Sequence, residues 1–323
     1  MNESTQYSPG IALSLSGLLK VLALVAVATL LVAGLLGGLA RLGVASRVAP
    51  GTLAQYHGPL MVCAFFGTVI SLERAVAVRR DWAYVAPVAA AVGGISLIVV
   101  GRPLAAAVLF TVAGLALTGV FGHLLLRRFE LFTAAMALGA FAWTAGNVGW
   151  MLGASIPAVV PWWAAFLIFT IAGERLELSR FRNAEVNKAG FGLAFAVVGI
   201  GLVSAAFFFD AGSRFFGAGV LLLAVWLARN DVARSTIRTA GPPRFMAVAL
   251  FAGYVWLAAA GIMLVAFGGV RAGWSYDAIW HAVFVGFVFS MVFAHAQVIL
   301  PALTGIRVRH GAQFYIPLAL LHL

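Results

Sequence analysis

The sequence predicts an all-α, polytopic transmembrane helix bundle of about 10–12 helices, and three observations carry that prediction. The 323-residue chain is 63% hydrophobic and only 10% charged, with a mean hydropathy of +1.04, a composition outside the range of soluble globular domains. Apolar stretches of about 20 residues recur along it, the length that crosses a hydrocarbon core of about 30 Å at about 1.5 Å per residue. The basic residues are confined to short connections between those stretches, as they are in membrane proteins. A segment surrounded by lipid must satisfy its own backbone hydrogen bonds, so the spans are helices. Length here counts helices rather than globular domains, and residues 1–323 read as a single transmembrane domain.

The first predicted span, 18–40, follows a polar stretch (MNESTQYSPG) and shows no small-residue cleavage site, so it reads as a retained helix rather than a cleaved signal peptide. The second, 54–78, begins around HGPLMVCAFFGTVISLERAVAV. The third covers 82–101. The fourth, 104–126, carries His123 shortly before Arg127 and Arg128. The fifth, 131–153, is rich in glycine and holds Asn147, a residue type that hydrogen-bonds between helices in a bilayer. The sixth, 158–178, carries Trp162 and Trp163 near one end, where interfacial aromatics are expected, and runs into AGERLELSR at the other. The seventh covers 189–209, and the eighth, 214–228, is the shortest. The ninth covers 244–268 and the tenth 276–303. His310 falls in the loop that follows. The last stretch, Phe314 to Leu323, is too short to span and stops inside an apolar run, so the expectation is a chain truncated within an eleventh helix.

Lys and Arg orient the bundle. With the N-terminus on the cytoplasmic side, only Arg41, Arg47, Arg102, Arg214 and Arg271 of the 21 basic residues fall outside, and sixteen fall inside. This split predicts a multi-pass protein of a bacterial-type inner membrane. The net charge of +11 is then a topology signal and a means of contact with lipid headgroups, not a nucleic-acid surface. The one cysteine, Cys63, lies inside an apolar run, so no intrachain disulfide, CxxC motif or c-type haem attachment is available; it reads as a buried structural thiol.

Two histidines dominate the candidate chemistry. His57 opens the second span and His281 lies early in the tenth. Both spans are even-numbered, so they run in the same direction and place the two rings at similar depth near the outer face. An ionisable group inside a bilayer is costly, and it marks a functional site by default. Two imidazoles on neighbouring membrane helices are the axial ligand set of a b-type haem. On an ideal α-helix Thr68 returns to within roughly 20° of the His57 face and Ser71 to about 40°. Gly58 and Gly67 leave room for a neighbouring helix or a flat cofactor. Asp277 stands one turn before His281 and His295 four turns after it, on a shared face. Asp277 either accepts a hydrogen bond from the non-ligating nitrogen of His281 or only marks the helix start as an N-terminal anion. His295 is too far along to share one metal with His281 and reads as structural or as part of a proton relay. Glu73-Arg74 and Glu174-Arg175 recur at inner helix ends, where they can pair across helices or reach headgroups, with proton uptake a further role for Glu73 or Glu174.

These two segments resemble the second and tenth helices of subunit I of the haem-copper oxidase superfamily, which includes nitric oxide reductases. In that family a low-spin haem ligand sits in a pattern like H-[GA]-x-x-M, and YHGPLMVCAFFG is similar at His57, Gly58 and Met61. The family's tenth helix reads H-x-H before a long apolar stretch ending P-L-F-x-G. With His281 on the second histidine, Pro301 and Gly305 fall at that spacing. The departures matter as much. The first histidine of H-x-H, which binds the catalytic haem, falls on Ile279, and the sixth and seventh spans lack the histidines of the second metal. The resemblance therefore implies one low-spin haem b on His57 and His281 and no binuclear oxygen-reducing centre. The tenth span also resembles membrane proteins of the NnrS type, linked to nitric oxide stress, in the pattern HAxxxGxxxxM.

The resulting expectation is a haem b protein of the membrane that works in electron transfer or in handling nitric oxide or another diatomic gas. An unassigned quinol or cytochrome would be its redox partner, and an enzymatic role would be that of an oxidoreductase. The alternative is a haem-free transporter or channel that uses His57, His281, His295, Glu73 and Glu174 as a proton or solute path. A third reading is an accessory or assembly protein acting through its helix surfaces.

Overall fold

The structure, a computed structural model, describes residues 15–44, 51–179, 187–296 and 311–323. Arg47, Pro301, Gly305, His310 and the end of the tenth predicted span lie outside the described residues. Among the described residues there are helices and no strands, and ten helices are long and apolar enough to cross a membrane. They are α1 (Leu15–Arg41), α2 (His57–Val78), α3 (Asp81–Val99), α4 (Pro103–Arg127), α5 (Leu131–Met151), α6 (Ile156–Ser179), α7 (Lys188–Phe207), α8 (Phe209–Asn230), α9 (Pro242–Phe267) and α10 (Trp274–Ala296). The chain is a multi-pass membrane protein. Its outer surface agrees with that: Val88, Leu115, Val255 and Ile262 are each more than half exposed in the middle of helices, where water would penalise such a surface and lipid does not.

The span boundaries follow from local chemistry. Gly101 takes a positive φ of 67° and Pro103 opens α4; Gly241 (φ 72°) and Pro242 do the same for α9. A positive φ is open to glycine, and proline at the first helical position gives up only an N–H that would be unpaired anyway. The eighth span is longer than its hydropathy predicts, because residues 209–213, with the charged Asp210, belong to it ahead of Arg214. Their charges are matched within the first turns: Arg214 Nε donates to Asp210 Oδ2 at 2.9 Å and Arg214 Nη1 donates to the carbonyl of Val265 at 2.6 Å. A single residue, Phe208, separates α7 from α8. The two backbones touch where Gly201, Gly212 and Gly219 replace side chains, and a Cβ at any of the three would collide with main-chain atoms of the facing helix.

Consecutive helices pack as antiparallel neighbours from α3 to α6 and from α7 to α10. α6 is the most enclosed span, with 78% of its most apolar window buried. Trp163, near the start of α6, is turned into the bundle and is 0% exposed. Its indole N–H donates to Asn147 Oδ1 at 3.0 Å, while Asn147 Nδ2 donates to the carbonyl of Phe110 at 2.9 Å and the Cys63 thiol donates to the same Oδ1 at 3.3 Å. One amide thus joins α2, α4, α5 and α6 in the core.

Candidate functional site: a histidine pair between α2 and α10

Both α2 and α10 depart from α geometry immediately after their histidine. α2 becomes a π-helix over Leu60–Phe66, and α10 does so over Ala282–Phe289. A π segment shifts the side-chain register relative to an α-helix and is common at functional sites. The ideal-helix projection that put Thr68 on the His57 face therefore fails, since seven of the intervening residues are wound differently. The same applies to the shared face expected for His281 and His295. Thr68 is buried, and its hydroxyl has no hydrogen-bond partner among the described residues.

The His57 and His281 rings lie 6.3 Å apart by centroid with their planes only 10° from parallel. The ring pair joins α2 to α10. They meet through side chains, with the ring pair at one end and Phe66 against Phe289 at 5.5 Å further along. Each histidine is oriented by a main-chain oxygen. His57 Nδ1 is 2.7 Å from the carbonyl of Gly34 on α1, and His281 Nδ1 is 2.7 Å from the carbonyl of Asp277 one turn earlier. A carbonyl only accepts, so each Nδ1 carries a proton, and in the neutral ring Nε2 then presents a lone pair. Neither Nε2 makes a hydrogen bond among the described residues. Asp277 does orient His281, but through its backbone rather than the expected carboxylate, which stays exposed in the first turn of α10.

α1 supplies a component that sequence reading missed. A Cβ at Gly38 would sit 2.9 Å from His57 Cε1, and one at Gly37 3.4 Å from His57 Cβ. Small residues at 34, 37 and 38 let the first helix lie against the second, and their spacing is the signal that could have found them. Arg41, at the end of α1, lies within electrostatic range of the His57 ring and of the Tyr276 hydroxyl. Trp280, next to His281, is buried with its indole N–H unpaired among the described residues. Of the two glycines expected to allow close approach, Gly67 does so: a Cβ there would be 2.5 Å from Trp143. Gly58 has only Ile156 at 4.0 Å.

The other candidate residues lie elsewhere. Arg74 Nη2 donates to Glu73 at 2.7 Å and across helices to Glu174 at 3.0 Å, which makes the expected pairing between α2 and α6. Arg175 turns instead to Asp231, donating from Nε at 2.5 Å and Nη2 at 2.8 Å; Tyr254 donates to the same carboxylate at 2.9 Å. His295 Nδ1 is 2.7 Å from the carbonyl of Met291. Asp231 and Tyr254 were not anticipated; the signal was a lone acid in the basic run LARNDVARS. Among the described residues, no group of three or more His, Cys, Asp or Glu side chains is arranged to hold a metal ion.

Over residues 19–323 the sequence matches a family described as a domain of unknown function, DUF8744. The chain belongs to the DUF8744 family. No curated protein and no solved structure matches it. The DUF8744 match begins within α1 and takes in the histidine pair and its α1 support, so all three parts of this site belong to the family domain.

Proposed function

We propose that this chain is a haem b-binding membrane protein in which His57 and His281 are the two axial ligands, acting in electron transfer or in the handling of nitric oxide or another diatomic gas. The ring pair carries the reading. Two imidazoles whose Nε2 atoms faced one metal from opposite sides, at a metal–nitrogen distance of about 2.0 Å and with each ring centroid about 1.1 Å behind its nitrogen, would have centroids about 6.2 Å apart. The observed separation is 6.3 Å. The protonated Nδ1 atoms leave both Nε2 lone pairs for the metal, as in histidine ligands held by an outer partner. The ligand count supports the same reading. A bare metal ion takes four or more protein ligands or waters, whereas a macrocycle supplies the equatorial set and asks only for two rings.

When bound, haem would supply one-electron redox chemistry, with His57 and His281 holding its iron. The protein's part is positional. The Gly34 carbonyl holds His57 from α1, and the missing side chain at Gly38 makes room for that ring. His281 is exposed and tethered only within its own helix, whereas His57 is held from α1. The similarity to haem-copper oxidase subunit I at His57, Gly58, Met61 and His281 supports the ligand assignment. Ile279 and the histidine-free sixth and seventh spans argue against oxygen reduction. The basic-residue split favours an inner-membrane location with a cytoplasmic N-terminus.

A visible spectrum of the detergent-purified protein, oxidised and dithionite-reduced, tests this beside His57→Ala and His281→Ala. Sharp low-spin haem b bands in the wild type, lost in both variants, are the expected result. A colourless wild type after expression with ample haem would overturn the reading and favour the haem-free transporter.

A further inference from the structure

At the end of the bundle opposite the histidine pair, the ends of α2, α4, α5 and α6 surround a cavity of about 280 Å³. Three guanidiniums line it: Arg74 of α2, Arg127 of α4 and Arg128 just beyond it. Arg74 lies 17 residues after His57, about 25 Å along the helix, and so falls where the bundle meets the far membrane surface. Two carboxylates also line the cavity, and both are engaged. Glu130 is held by Arg128 Nε at 2.8 Å, and Glu177 has a partner of its own. The cationic groups retain unused donors. Arg127 is exposed and makes no hydrogen bond or ion pair among the described residues. Arg74 keeps a buried Nε–H without a partner among the described residues, although its Nη2 serves Glu73 and Glu174. Part of the wall is apolar, including Met136.

We infer that this cavity binds a phosphate-bearing anion, supplied as the headgroup of an anionic phospholipid. Guanidinium is the side chain best matched to phosphate oxygens, because it donates two parallel hydrogen bonds. Basic pockets between membrane helices at a bilayer surface take such headgroups, and an apolar wall beside the guanidiniums suits the lipid that follows the phosphate better than it suits a free ion.

The test is native mass spectrometry of the full chain in a neutral detergent, titrated with phosphatidylglycerol or with phosphatidylcholine of matched acyl chains, for the wild type and for Arg127→Gln/Arg128→Gln. Neither arginine supports the core, and a circular-dichroism melt confirms that the fold is kept; Arg127→Gln alone, which removes a side chain without a partner among the described residues, is the fallback variant. The expected result is preferential retention of phosphatidylglycerol, reduced roughly fivefold or more in the double variant and resistant to excess inorganic phosphate. Displacement by inorganic phosphate would overturn the lipid source and leave a free-phosphate site. Equal retention of the two lipids, or a preference that the double variant leaves intact, would overturn the site itself.

Discussion

His57 and His281 differ in how they are held, although their rings are nearly parallel. His57 is fixed from another helix by the Gly34 carbonyl and flanked by Gly38, while His281 is bonded only to the carbonyl one turn behind it. Because the oxygen at Asp277 is a main-chain atom, the carboxylate has no part in setting the His281 tautomer. Asp277→Asn is therefore expected to leave the visible spectrum and the haem content unchanged. A shifted or weakened low-spin spectrum in that variant would show that the carboxylate acts on the ring after all. At this same scale the notable buried polar group is Asn147. Its carbonyl oxygen accepts from both Trp163 and Cys63, so loss of the amide leaves a buried indole N–H unpaired, at a typical cost of about 1–3 kcal/mol.

Helices in this protein carry information in their winding as well as in their faces. The π runs Leu60–Phe66 and Ala282–Phe289 each begin within three residues of a ligand candidate. Both runs change which side chains face the partner helix. Deleting one residue, Val62, would let α2 close into regular α geometry with almost the same total turn, because seven π residues and six α residues each turn the chain by about 600°. The expected outcome is a helical, membrane-inserted protein in which His57 keeps its direction and the low-spin haem spectrum is retained. Loss of the spectrum after the deletion would mean that the π winding itself presents the ring. The α7–α8 pair shows the opposite use of sequence. There, three glycines on regular helices bring two backbones into contact, and no winding change is needed.

Across the whole molecule, one buried ion pair ties three helices together. Arg175 of α6 is 3% exposed and Asp231, just after α8, is 0% exposed by side chain; Tyr254 of α9 and the Ala233 N–H complete the carboxylate's hydrogen bonds. Removing one partner leaves an uncompensated charge in the interior, so Asp231→Ala is expected to destabilise the protein by about 3–5 kcal/mol, read as a lower thermal midpoint in detergent. The joint variant Arg175→Met/Asp231→Leu removes both charges and is expected to be less destabilised than Asp231→Ala alone. If the double variant were the less stable of the two, the joint would owe its strength to attraction rather than to the avoidance of an unpaired charge. This joint lies apart from the histidine pair, so haem content per folded molecule should not change.

The number of spans, their approximate limits and the membrane setting were legible from the amino acids alone, because hydropathy is local and adds up along about twenty residues whatever the partner. His57 and His281 stood out as candidates for the same reason: an ionisable group is conspicuous in an apolar run. Only the tertiary structure decided what these residues touch. The 6.3 Å approach of the two rings, the Gly34 carbonyl behind His57, the burial of Trp163 on Asn147, and the choice of Asp231 by Arg175 each join segments far apart in sequence. The ideal 100° projection misplaced Thr68, because it assumes a constant winding that the π segment breaks. Hydropathy places a residue in the bilayer; helix packing and winding set which neighbour its polar atoms meet.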